Sequence, residues 1–253
     1  MRVWTRRAGA IGFVLLAWQL VSHGGWVPRE YFPDVPQIVD ALVRLTVSGE
    51  LIHAERVTLA RTVVGVVVSS TLGFGLALLG AQVRAVRYAL APLVDIFQAL
   101  PPAALVPLTI FALGFGEAFF LFVTCFAATW PVYIAAIRAL TASELVQIQS
   151  GQSLGFTSME ILLQVRIPAA LPEIFTGVRV AAGISLIATV ASEMLAGRDG
   201  IGFMLFDTAF ALRVDDTFAV LFVAAANGVL INALVVALRH QLLGWHEKLS
   251  LSA

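Results

Sequence analysis

The chain has 253 residues, of which 59% are hydrophobic and 13% charged, with zero formal net charge and a mean hydropathy of +0.91. Soluble domains average about 45–50% apolar and about 25% charged residues, so a water-soluble fold of this composition would lack the polar surface to cover itself, and the bilayer is its natural solvent. The neutral charge balance gives no basic excess that would point to nucleic acid, and the single cysteine, Cys125, excludes an intramolecular disulfide and reads as a small buried hydrophobe rather than part of a metal site.

A bilayer-spanning helix needs about 20 mostly apolar residues. Ala8 to Trp26 follows Arg2, Arg6 and Arg7. A cleaved export signal has the same outline, but no small-x-small cleavage site stands out near His23–Gly25, so the expectation is a retained first span. An outer segment from His23 to Ala60 then carries Pro28, Pro33 and Pro36. Within it, Gln37 to Thr46 places Ile38, Leu42 and Leu45 on one side, the pattern of a helix at the membrane interface. Thr62 to Val83 is free of charge and forms the second span. Tyr88 to Gly116, with Asp95 as its one charge, forms the third; Pro101 and Pro102 interrupt it and free carbonyls that could line a path. Ala118 to Ile137 is the fourth span. Ile174 to Ala196, with Arg179 and Glu193 near its ends, is the fifth, and Phe218 to Leu238 is the sixth.

Two segments between these spans are long. Leu140 to Leu171 has helical composition over Ala142 to Gln152, with Leu145 and Ile148 on one face. Gly155 permits a sharp bend. Thr157 can cap a second short helix, and Pro168 and Pro172 are expected to end it before the next span. Leu154, Phe156, Met159 and Ile161 either present a docking surface for another protein or fold back onto the spans. Gly197 to Thr217 opens with Gly197, Gly200 and Gly202, and Phe203 to Leu212 is apolar enough for a re-entrant or interfacial helix. Arginines and the one lysine, Lys248, in the short loops (Arg84, Arg87, Arg138, Arg166, Arg239) place both termini in the cytoplasm.

Polar residues inside spans are functional candidates by default. Asp95 with Gln98 before Pro101–Pro102 is a path candidate, although pairing with Arg87 is the better expectation. Glu193, followed by Arg198, suits a structural pair or an outer gate. Arg179 reads as an anchor at the inner interface. Asn227 and Asn232 read as interhelical hydrogen bonds, and Gly73, Gly75 and Gly80 as close helix contacts. His23, His53, His240 and His246 show no metal-ligand spacing, and no catalytic cluster stands out.

The loop around Gly155 resembles the cytoplasmic EAA loop of permease subunits of binding-protein-dependent ABC importers. Gly155 stands for the loop glycine, Val165-Arg166-Ile167-Pro168 for its Ile-x-Leu-Pro ending, and Gln149-Ser150-Gly151 for its Glu-Ala-Ala triplet. The neutral Gln149 departs from that pattern. The segments SLGFTSMEILLQVRIPAALPEIFTGVRVA, Gly49–Gly65, Leu100–Glu117 and Ala191–Leu205 are similar to the branch importing nitrate, sulfonates, taurine and related solutes.

That resemblance implies a single all-α transmembrane permease domain over residues 1–253, of the type I importer (MetI-like) fold with about six transmembrane helices. It implies a homodimer with a second permease copy, two cytoplasmic ABC ATPase subunits that carry ATP and Mg, an extracytoplasmic solute-binding protein, and residence in the bacterial inner membrane. Its coupling residues would be Gln149, Ser150, Gly151, Leu154, Gly155, Phe156, Ile167 and Pro168; its path or gate residues Asp95, Gln98, Pro101, Pro102 and Glu193. The chain itself is expected to bind no cofactor and to be no enzyme. Its one lysine, Lys248, follows Glu247, so the phosphate-cradling G-x-x-x-x-G-K-[ST] loop is missing from the sequence. A competing reading is a self-contained secondary transporter or channel using Asp95 and Glu193 as ion sites.

Overall fold

The computed structural model describes residues 12–13, 16–24, 28, 31–142 and 145–250, side chains 145–148 and 245–250 excepted. Residues 16–23 form helix α1. Helix α2 (Val35–Val47) is followed by α3 (Glu50–Gln82), α4 (Arg84–Ala99) and, after a tight 3-10 turn at Pro102–Leu105, α5 (Val106–Leu113). Next come α6 (Glu117–Thr141), α7 (Leu145–Ser153), α8 (Ser158–Ile161), α9 (Ile167–Ala196), α10 (Ile201–Phe210) and α11 (Val214–Ser250). No strand is found among the described residues. Of the expected first span, residues 8–11, 14–15 and 25–26 lie outside the described residues, as do Arg2, Arg6, Arg7, Arg29 and the side chains of Leu145, Ile148, His246 and Lys248.

Four helices are long and apolar enough to cross a membrane among the described residues: Glu50–Gln82, Glu117–Thr141, Ser158–Ala196 and Val214–Gly244. A fifth crossing is possible for α4 together with Pro102–Leu113, but the two arms meet at 94°. The expected third span is therefore two helices, broken at the prolines expected to interrupt it. Leu100 and Pro101 are extended, and the successive prolines 101 and 102 withhold the amides that would continue the helix.

The core of the bundle is α3, α6 and α9, each packed on the other two. On α3 the buried positions Thr58, Thr62, Gly65, Ser69, Gly73, Ala77 and Gly80 recur every three or four residues and are all small. In lipid, apolar side chains gain little by leaving hydrocarbon for protein, so helices associate through close backbone approach at such residues. A β-carbon on Gly73 would stand 2.6 Å from the Thr129 carbonyl oxygen, and one on Gly177 would stand 2.6 Å from the Ala135 methyl. Gly80 is also tight, 3.3 Å from Ile137, whereas Gly75 faces open space and makes no such contact.

Helix α2 turns Ile38, Ala41 and Leu45 inward, packing them with Leu51, Ile201, Met204 and Val220. Its start is fixed by Pro36 and by the Asp34 N–H donating to Gln37 Oε1 at 2.9 Å. The amphipathic reading of this stretch is correct. The outer segment, however, does not continue as a loop to Ala60: α3 begins at Glu50. At 33 residues α3 is about 50 Å long, well beyond the roughly 30 Å hydrocarbon core.

Pro168 and Pro172 do not end the short helix after Gly155. The helix runs on from Ser158 to Ala196. A π turn over Leu162–Arg166 precedes Pro168, and Pro172 lies inside α9. Widening the ladder there accommodates Pro168, whose ring and missing N–H meet the carbonyl four residues back, at Gln164 within the π turn.

Candidate functional site at the two ends of the bundle

At one end, Arg61 of α3 gathers three carboxylates from three other segments. Its Nη1 donates to Glu193 Oε1 of α9 at 3.0 Å, and its Nη2 to Glu117 Oε1 of α6 at 2.6 Å and to Asp199 Oδ1 at 2.8 Å. The guanidinium also stacks 3.9 Å from the Phe120 ring centroid. Glu193 is fully buried, whereas Glu117 is exposed. Thr58 Oγ1 donates to Glu193 Oε2 at 2.8 Å and accepts from the Ile201 N–H at 2.7 Å, and the Gly202 N–H donates to Glu193 Oε2 at 3.0 Å. The buried carboxylate and Thr58 thus satisfy two of the first amides of α10, which a helix start otherwise leaves orphaned. Gly200 turns into α10 at φ 94°, where a side chain would also strike the Glu193 carboxylate. The result is a four-segment knot of α3, α6, α9 and the α9–α10 turn.

Glu193 is therefore ion-paired, and its cation is Arg61, an arrangement that suits either the expected structural pair or an outer gate. Arg61 was the residue hardest to find from sequence. A buried carboxylate demands a partner, but Arg56, Arg61 and Arg198 all lie near that end, and nothing local selects among them. The same face holds further pairs. Arg44 binds Asp215 and Asp216, Arg213 binds Asp207 and Asp216, and Asn227 Nδ2 donates to Glu55 at 2.8 Å.

At the opposite end, α7 turns into α8 at Gly155, which has φ 81°, a left-handed conformation that favours glycine. The Phe156 N–H donates to the Gly151 carbonyl at 3.0 Å. Thr157 caps α8: its hydroxyl accepts from the Glu160 N–H at 3.3 Å, and its own N–H donates to Glu160 Oε2 at 2.7 Å. Leu154 is 74% exposed and Met159 54% exposed, whereas Ile161 is 5% exposed. Of the four apolar side chains, then, two project and Ile161 folds back; Phe156, half-buried, closes with it over Gly151. Gln149 and Ser150 are exposed and Gly151 is buried, while Ile167 and Pro168 are half-buried at the start of α9. Arg166 donates through Nε to the Leu140 carbonyl at 3.0 Å, fastening the loop to the last turn of α6.

Between the two ends lie the remaining candidates. Pro101 and Pro102 form the bend itself. Asp95 is exposed, and its side chain meets Gln98 Nε2 at 3.4 Å. The expected pair with Arg87 is not formed: among the described residues Asp95 makes no ion pair, because Arg87 lies two helical turns away on the same helix. Arg179 Nε donates to Asn232 Oδ1 at 2.6 Å, so Asn232 does bridge helices. No group of three or more His, Cys, Asp or Glu fit to hold a metal occurs among the described residues.

Residues 69–243 match the family described as binding-protein-dependent transport system inner membrane component. The chain is similar to the taurine transport system permease protein TauC of Escherichia coli (strain K12), with 27% identity over 249 residues, 96% of this chain and 90% of that protein. It is also similar to the putative aliphatic sulfonates transport permease protein SsuC of Bacillus subtilis (strain 168), with 26% identity over 234 residues, 92% of this chain and 85% of that protein. In fold it is similar to the inward-facing MetNI methionine ABC transporter, with a TM-score of 0.66 at 18% identity, covering 76% of this chain and 96% of that one.

Proposed function

The chain belongs to the family of binding-protein-dependent transport system inner membrane components, and we propose that two copies of it form the solute path of an ATP-driven importer. It is a multi-pass membrane subunit and works as a transport component rather than an enzyme. In this reading, two cytoplasmic ABC ATPases supply the ATP and Mg, and an extracytoplasmic binding protein delivers a small organic or inorganic solute. Taurine and aliphatic sulfonates, named for the relatives, are the first solutes to test. Both termini and the Gly155 loop lie in the cytoplasm; the Arg61 knot lies outside.

The observation that carries this reading is the Gly155 tip. It presents Leu154 and Met159 to solvent at the end of a helix that runs unbroken, through one π turn, for 39 residues to Ala196. That rod is about 58 Å long and ends in the Arg61 knot. A partner that grips the tip and moves as it binds and releases nucleotide shifts the rod as a body, and the knot carries α3, α6 and α10 with it. The switch between path states is then a rigid-body rearrangement driven by differential binding.

The neutral Gln149 leaves the grip to apolar contact and backbone shape, without an acidic side chain at that position. The test is Gly155→Asp in the reconstituted transporter. The expected outcome is normal insertion and retained ATPase binding or hydrolysis with solute uptake lost; full uptake would reject the lever.

A further inference from the structure

A cavity of about 570 Å³ opens between α4 and the inner half of α6. It is lined by Arg87, Asp95 and Gln98 from one helix and by Tyr133, Arg138 and Thr141 from the other. On α4 the intervals from Arg87 through Ala91 to Asp95 and Gln98 are four, four and three residues, a single stripe. Arg138 and Thr141 share a face of α6, three residues apart. The two helices run in opposite directions, so the α-to-β carbon bonds of Asp95 and Arg138 lean towards each other's depth.

Two cations and one anion therefore face a single space. Among the described residues none of the three makes an ion pair, and Asp95 is met by the Gln98 amide alone. Asp95 and Arg138 are exposed and Arg87 is half-buried, so the cavity opens at the cytoplasmic end of the bundle with all three charges accessible to a ligand.

We propose that this cavity is a subsite for a small zwitterion, with its anionic group on the guanidinium of Arg138 or Arg87 and its ammonium on Asp95. The inference rests on the reading of the chain as a solute path. A plain anion would meet the repulsion of Asp95, and a plain cation that of two arginines. A solute carrying both signs satisfies all three groups, and Gln98, Tyr133 and Thr141 supply neutral hydrogen-bonding groups around it. A phosphatidylethanolamine headgroup has the same chemistry, so the experiment separates lipid from solute.

The complete transporter, permease with its ATPase, is placed in nanodiscs of phosphatidylglycerol without nucleotide. Taurine and β-alanine are titrated by calorimetry beside isethionate and 3-hydroxypropionate, their counterparts with hydroxyl in place of ammonium. At least one zwitterion is expected to bind roughly tenfold more tightly than its counterpart, a difference of about 1.4 kcal/mol. Asp95→Asn should bring that ratio close to one, and Arg138→Gln should weaken both members of the pair. Failure of every zwitterion to exceed its counterpart, or a ratio unchanged by Asp95→Asn, would overturn the proposal. So would loss of zwitterion binding on adding phosphatidylethanolamine to the discs, which assigns the cavity to lipid. ATP-dependent solute uptake by the same transporter in proteoliposomes, with and without Gly155→Asp, reports separately on the importer reading, because the titration needs no turnover.

Discussion

Arg61 and Glu193 show how a single charge is tolerated in an apolar helix. Glu193 has no exposed surface, yet it accepts from a guanidinium, a hydroxyl and a backbone amide. Removing one partner of such a pair leaves a buried, uncompensated charge, at a cost of about 3–5 kcal/mol. Arg61→Met should therefore lower the melting temperature of the purified protein sharply. Glu193→Gln should cost less, because Arg61 keeps Glu117 and Asp199. The double variant should be more stable than the two single losses sum to, and additive losses in thermal unfolding would show that the pair is not coupled. At the other end, Leu154→Ser or Met159→Ser removes exposed apolar surface and should leave folding intact while weakening copurification of the ATPase. Unchanged copurification would place the grip elsewhere.

At the scale of elements, close packing rather than apolar mass sets helix positions. The small-residue stripe of α3 meets backbone on α6, which cannot move aside as a flexible side chain could. Gly73→Leu should abolish assembly, as judged by size-exclusion chromatography in detergent. Gly75→Ala, which meets nothing within 4 Å, should be neutral or stabilising by up to about 1 kcal/mol. The two proline pairs illustrate the same dependence on context. Pro101 and Pro102 bend their span by 94°, whereas Pro168 follows a π turn, Pro172 sits inside α9, and the rod continues. The first pair is adjacent and withholds two successive amides, whereas the second is spaced four residues apart along one helical face.

For the whole molecule, the ion pairs and caps place Glu50, Glu117, Glu193 and the start of α11 at one end of the bundle, and Gln82, Thr141 and Gly155 at the other. Reporter fusions at Gly49 and Gly155 should accordingly fall on opposite membrane faces, with Gly155 cytoplasmic. Landing on the same face would break this topology. The purified chain without an ATPase should fail to concentrate solute in liposomes; uphill uptake by it alone would return the self-contained transporter to the front.

Composition and apolar run length were enough to place this chain in a membrane as a helical bundle, because hydrocarbon admits few backbone solutions and the 20-residue scale is set by bilayer thickness. Local chemistry also fixed the glycine bend at Gly155, the Thr157 cap and the amphipathic stripe of α2, since each involves groups within a few residues of one another. The choice of Arg61 over its neighbours as the partner of Glu193, the continuity of the rod through two prolines, and the gathering of Arg87, Asp95 and Arg138 around one cavity were decided by the tertiary structure. Each depends on which faces of separate helices meet, and no short-range pattern in the sequence encodes that distance.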